Sequence, residues 1–150
     1  MTLVCPECEQ HGFSIVDSVE LGPSASADER TVQRAHCTDC DTRFFCLYLA
    51  VRSHKQGRDD DETHLAYVAN KDVWTKCADV FETPTRRRAS PERIEDARRV
   101  WDLAQQSGSM ARTITFRRSD QNPVVASPSK TKHMDDTWMR KLYLKLWGGQ

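Results

Sequence analysis

The chain has 150 residues, 29% of them charged, a mean hydropathy of −0.69 and a formal net charge of zero. That length fits one ordinary domain or two small ones with a modest core, and no stretch approaches the roughly 18 apolar residues needed to span a bilayer. The neutral total conceals an asymmetry: residues 1–56 carry five Lys/Arg against eight Asp/Glu, residues 57–82 three against seven, and residues 83–150 fourteen against seven. The opening MTLVCPEC has neither a basic leader nor a long apolar segment. An intracellular, cytoplasmic protein without a membrane role is therefore expected.

Three segments rich in β-branched and aromatic residues come first: FSIVDSVEL (13–21), RTVQRAH (30–36) and RFFCLYLAVR (43–52). Each reads as a strand. Between the first two, GPSASADE is a Gly/Pro/Ser-rich connector, expected as an exposed hairpin loop. The tract SHKQGRDDDET (53–63) combines Gly with a block of acids and reads as a linker or long surface loop. In NKDVWTKCADVF, the residues Val73, Trp74, Cys77, Val80 and Phe81 fall at helical intervals, with Asn70 or Asp72 as cap.

A stronger helix signal follows. Ser90 suits the N-cap, Pro91 the first helical position, and Glu92, Glu95 and Asp96 the positive end of the dipole. Ile94, Ala97, Trp101 and Ala104 then form one face, and Gly108 ends the helix. ARTITFRR (111–118) alternates like a strand, and SDQNPVVASPSKTK reads as a linker. DDTWMRKLYLKLW places acids first and cations later, around an apolar stripe of Trp138, Met139, Leu142 and Leu146, flanked by Tyr143 and Trp147. This predicts an amphipathic C-terminal helix.

Six cysteines are the strongest chemical signal. In a reducing compartment, and with two Cys-x-x-Cys pairs, metal binding is favoured over three disulfides. Cys5-Pro6-Glu7-Cys8 and Cys37-Thr38-Asp39-Cys40 stand 28 residues apart, enough for a strand pair between them. Four thiolates around one Zn²⁺ form a closed tetrahedral site with no open position for a catalytic water, so one structural Zn²⁺ is expected. Arg34, His36 and Arg43 lie beside the knuckles and could soften the site's negative charge. A small lobe of this kind would draw much of its stability from the ion. Cys46 and Cys77 read as small core residues. Although His36 is close enough to compete as a ligand, Cys37 fits the paired spacing.

The pattern Cys5-Pro6-x-Cys8, Val16-Asp17-Ser18, then Arg34 ahead of Cys37-x-x-Cys40-x-x-Arg43-Phe44 resembles the N-terminal zinc ribbon of the bacterial ribonucleotide-reductase repressor. That resemblance implies DNA binding through Arg30, Arg34 and Arg43. SADE (26–29) followed by CTDCDTRF is similar to the C-terminal ribbon of the eukaryotic transcript-cleavage elongation factor. It would make Asp28 and Glu29 the hairpin-tip carboxylates that enter a polymerase active site. Small zinc-finger late-gene activators of temperate phages are also similar, with Cys-Pro-x-Cys near the start and an aromatic after the second pair. All three resemblances cover about the first third of the chain and imply a zinc-ribbon fold associated with transcription.

The basic half adds Arg86, Arg87, Arg88, Arg93, Arg98 and Arg99, spaced to neutralise phosphates or to decorate a solvated helix with local Glu/Arg pairs. SPERIEDARRVWDLAQQSG also looks like the opening helix of a helix-turn-helix, although the strand-like continuation does not extend that pattern. No Gly-rich phosphate loop, His-Glu-x-x-His or nucleophile elbow occurs, so a non-enzymatic role is expected.

The sequence thus leads to an α+β protein: an antiparallel zinc ribbon over residues 1–56, an acidic linker over 57–64, a basic helical region with an edge strand over 65–120, a second linker over 121–134, and an amphipathic helix over 135–150. The expected function is a small transcription regulator that binds DNA or RNA polymerase. The alternatives are a protein-interaction adaptor or inhibitor of a host enzyme, of phage or mobile-element type, and a cleavage factor using Asp28 and Glu29. Trp138, Leu142 and Trp147 would pack on the chain's own domain, or form a homodimer seam or partner helix.

Overall fold

A computed structural model describes residues 3–52, 60–81, 89–117 and 122–126. The three expected N-terminal strands form as β1 (Phe13–Glu20), β2 (Glu29–Cys37) and β3 (Arg43–Val51), joined as an antiparallel meander. β4 (Asp61–Val68) pairs along the full length of β3, from Phe44 opposite Val68 to Val51 opposite Asp61. The acidic linker expected over 57–64 is corrected here, because Asp61, Glu62, Thr63 and His64 belong to β4. The reason is register: continuing the alternation of Leu65-Ala66-Tyr67-Val68 backwards turns His64 and Glu62 inward, and both are buried.

Two short helices follow, α1 (Lys71–Lys76) and α2 (Ala78–Phe81). The Asn70 side chain accepts from the backbone N–H groups of Asp72 and Val73, an N-cap that starts α1. α3 (Pro91–Ser107) begins as expected, with Ser90 accepting from the Arg93 N–H and Pro91 in the first turn. Gly108 closes it at a point of close approach, where an added Cβ would lie 2.6 Å from the Ala104 carbonyl oxygen and 3.0 Å from that of Val68. The chain then pairs back through β5 (Ser109–Met110) and β6 (Thr113–Arg117), both against β4, and β7 (Val124–Ala126) lines β6 inside the segment expected as a linker. The result is one antiparallel sheet with path β1-β2-β3-β4-β6-β7, and the helices are connected through it.

Alternation divides the sheet into two faces. Val19, Val32, Leu47 and Leu65 share one face, covered by Phe81 of α2 and by Ala97, Val100, Trp101 and Ala104 of α3. Tyr67 meets Trp101 edge-on at 5.4 Å between ring centroids, and Phe45 stacks on Phe81 at 6.4 Å. The other face carries Phe13, Ala35, Phe44, Cys46, Ala66 and Ile114, packed against Cys5 and Cys37. The cysteine knuckles therefore sit on the end of a single sheet. Among the described residues, no helix is long and apolar enough to cross a membrane. The expected C-terminal helix over 135–150, with Trp138, Leu142 and Trp147, lies outside the described residues.

Candidate metal centre

The two knuckles repeat one local conformation. The Cys5 N–H donates to the Gln10 carbonyl at 2.8 Å, and the Cys37 N–H donates to that of Thr42 at 3.0 Å, the same span in each. The residue after each second cysteine is left-handed, Glu9 with φ 61° and Asp41 with φ 58°. Such turns close the chain on itself and bring both thiols of a pair to one side. Gly12 lets the knuckles meet: a Cβ there would lie 2.5 Å from an Asp39 carboxylate oxygen and 2.8 Å from the Thr38 hydroxyl, while the Thr38 N–H donates to the Gly12 carbonyl.

Cys5, Cys8, Cys37 and Cys40 converge with every sulfur within 4.8 Å of the others. Cys5 Sγ is 3.8 Å from Cys40 Sγ, and Cys8 Sγ is 3.6 Å from Cys37 Sγ. A tetrahedral Zn²⁺ with Zn–S bonds of about 2.3 Å needs sulfurs about 3.8 Å apart, so the four donors fit one ion. All four are free thiols that form no disulfide. Sulfur-only ligation that fills the tetrahedron makes the ion structural.

The surroundings tune the sulfurs unequally. Backbone N–H groups of Glu7 and Cys8 point at Cys5 Sγ from 3.3 and 3.5 Å, yet burial outweighs them and pushes the Cys5 thiol up. At Cys40 burial also pushes upward, but the hydroxyl and N–H of Thr42, with Cys37 and Cys8, outweigh it and bring the thiol down to about 7. Metal binding must displace protons from the more basic sulfurs, so affinity falls in acid.

Around the knuckles the sequence-singled arginines divide. Arg34 is 5% exposed. Its guanidinium forms a two-pronged ion pair with Asp17, donates to the Trp74 carbonyl at 2.8 Å, and lies 4.2 Å from the centroid of the Trp74 ring. Arg30 is 6% exposed and donates to the carbonyls of Gly22, Leu21 and Pro23, binding the β1–β2 connector to the sheet. Arg30 and Arg34 are thus not exposed cations of the ribbon: both share the inward parity of Val32, and their guanidiniums bond within the fold. Arg43 stands nearer the surface, with Nη1 3.4 Å from an Asp41 carboxylate oxygen and its guanidinium 5.5 Å from the Trp74 ring. His36 Nε2 is 2.8 Å from the same oxygen, and this contact, followed by the charge of Arg43, lowers the Asp41 pKa.

On α3, Arg98 pairs with Glu95 and Arg99 with Asp96, while Arg93 is half-buried. Arg86, Arg87 and Arg88 lie outside the described residues. Asp28 and Glu29 are not a free hairpin tip: Asp28 accepts from the Arg52 N–H at 2.6 Å, and Glu29 pairs with the Arg52 guanidinium at 3.1 Å. The turn of the connector lies earlier, where the Ser24 N–H donates to the Ala27 carbonyl at 2.8 Å. Cys46 is buried in the sheet, and Cys77 is half-buried on the helical side.

Sequence reasoning did not foresee two features. One is the placing of Trp74 near both the Arg34 and Arg43 guanidiniums, with its indole Nε1 donating to the Phe44 carbonyl at 3.1 Å. The other is a polar group on the helix-free face, where His64 Nδ1 donates to Gln33 Oε1 at 3.0 Å and the Tyr48 hydroxyl donates to Glu62 Oε1 at 2.7 Å. The period-2 parity of β2 and of residues 61–68 held a signal for both.

The fold and cysteine geometry define a small α+β domain with a single structural Zn²⁺ site of zinc-ribbon type. Comparison with protein families, curated proteins and solved structures returned no match to the chain. The resemblances to particular transcription-associated ribbons therefore rest on cysteine spacing and its flanking residues.

Proposed function

We propose that this domain acts as a zinc-stabilised protein-interaction adaptor whose metal end engages a basic surface of a partner. The observation that carries this reading is the charge around the closed site. Glu7, Glu9, Asp39 and Asp41 are all exposed there, over an ion whose four thiolates leave it net negative. Nearby cations offset only part of this: Arg43 faces Asp41, and Arg112 pairs with Glu9 at 2.8 Å. An anionic rim repels phosphate and attracts Lys/Arg-rich protein surfaces. The arginines that would have made the ribbon a phosphate reader are buried in Arg30 and Arg34. A nucleic-acid role would fall to the basic half, through Arg93, Arg99 and the arginines at 86–88.

Charge reversal separates the two. Glu7→Lys with Asp39→Lys, zinc content unchanged, should abolish association with the partner that the wild-type chain captures, while Arg93→Glu with Arg99→Glu should leave it intact. Duplex DNA or RNA binding at low salt that disappears with the arginine pair and survives the acidic pair would overturn the adaptor reading in favour of a nucleic-acid-binding regulator.

A further inference from the structure

At the end of the sheet away from the metal, a cavity of about 480 Å³ lies between the β1–β2 connector, the ends of β2 and β3, and α3. That volume is ordinary for a small-molecule site. Leu21, Pro23 and Ile94 give it apolar walls, while its charges are unevenly placed. Arg30 is the buried one, 6% exposed. Its Nε and Nη2 donate only to backbone carbonyls, and Nη1 has no hydrogen-bond partner among the described residues. Burial, and then the charge of Arg98 one turn after Ile94 on α3, lower the Arg30 pKa. Arg98 Nε is itself buried without a hydrogen-bond partner. A buried cation in the field of a second one calls for an anion.

The acids that line the cavity do not supply it: among the described residues, no carboxylate pairs with Arg30. Glu29 pairs with Arg52 at 3.1 Å, and one oxygen of Asp28 accepts from the Arg52 N–H. Glu20 and Asp28 are exposed, and neither forms an ion pair among the described residues. The lining therefore combines a buried positive group with exposed negative ones that stay unjoined. A simple anion meets Glu20 and Asp28 as like charges, and a simple cation meets Arg30. We propose that this cavity binds a small zwitterion of the α-amino-acid class, its carboxylate on Arg30, its ammonium towards Glu20 and Asp28, and its apolar side chain against Leu21, Pro23 and Ile94.

The test is ¹H–¹⁵N NMR titration of the zinc-loaded full chain with three probes that share one hydrocarbon shape: L-leucine, 4-methylpentanoate, which lacks the ammonium, and 3-methylbutylamine, which lacks the carboxylate. L-Leucine should shift the amides of Gly22, Arg30 and Ile94 saturably and leave those of Cys5 and Cys37 in place. It should bind at least about tenfold more tightly than either truncated probe, because each lacks one charge-assisted contact. Equal binding of 4-methylpentanoate, equal binding of 3-methylbutylamine, or no saturable shift with any probe would overturn the proposal. Glu20→Gln with Asp28→Asn keeps an acceptor for the Arg52 N–H and should weaken L-leucine while strengthening 4-methylpentanoate. Affinities for the two that move in parallel, or do not move, would overturn it as well.

Discussion

His64 lies in β4 at 3% exposure, and burial, which disfavours the imidazolium, lowers its pKa from 6.5 to about 4. The unfolded chain therefore binds a proton at a higher pH than the folded chain does. Stability from this group is present above pH 6.5, declines as pH falls through the window from 6.5 to 4, and is gone below it, a loss on the order of 3 kcal/mol. His64→Gln should remove that part of the acid sensitivity. The check is urea denaturation of both proteins with zinc present: their stability difference should change between pH 7 and pH 4, and a constant difference would rule the effect out. Zinc loss in acid affects both proteins alike and cancels in the comparison. At this scale the four zinc ligands were legible, because Cys-x-x-Cys geometry is local. Arg30 and Arg34 are buried although their charge suggests the surface, because strand parity outranks residue type. Val32 between them is apolar and core-facing, so the same alternation turns both arginines inward, where Asp17 and three backbone carbonyls receive them.

Helix α3 was legible almost to the residue, because its stop and start signals are short-range. Ser90 caps Arg93 at 3.2 Å, and Ala97, Trp101 and Ala104 bury the predicted stripe, with Val100 added. Ser90→Ala should cost about 1 kcal/mol, measured as a shift in the thermal or urea midpoint, and Ser90→Asp should restore it by also favouring the positive end of the helix dipole. β4 was obscured by the opposite circumstance. The run Asp59 to Glu62 dominates composition, while the reason for strand formation lies 14 residues earlier on β3, where Tyr48 waits for the Glu62 carboxylate. Pairing is a long-range property, and an inward Glu or His satisfied by a cross-strand neighbour looks like a solvated acid when read alone. β7 was missed for the same reason: a three-residue strand between prolines exists only because β6 is there to pair with it.

At the scale of the whole molecule, the separation expected between a metal lobe and a helical region gives way to one sheet. β3 pairs with both β2 and β4 over eight residue pairs each, and Cys46 and Ala66, in the middle of those strands, pack in the same cluster as Cys5 and Cys37. An ion that fixes the knuckles therefore fixes the strand ends that α3 packs upon through the opposite face. Removing it loosens the half-core above Phe44 and leaves the buried thiols of Cys5 and Cys37 without their metal, and the free energy of metal binding is then lost to the fold as a unit. A strong chelator, or Cys37→Ser, should collapse hydrogen-exchange protection together in β1–β2, in β4–β6 and in α3, with zinc release and loss of protection following one midpoint. Protection persisting in α3 and β4 after the metal has left would show instead that the helical face holds the sheet without the knuckles, and that the ion stabilises only the end it binds.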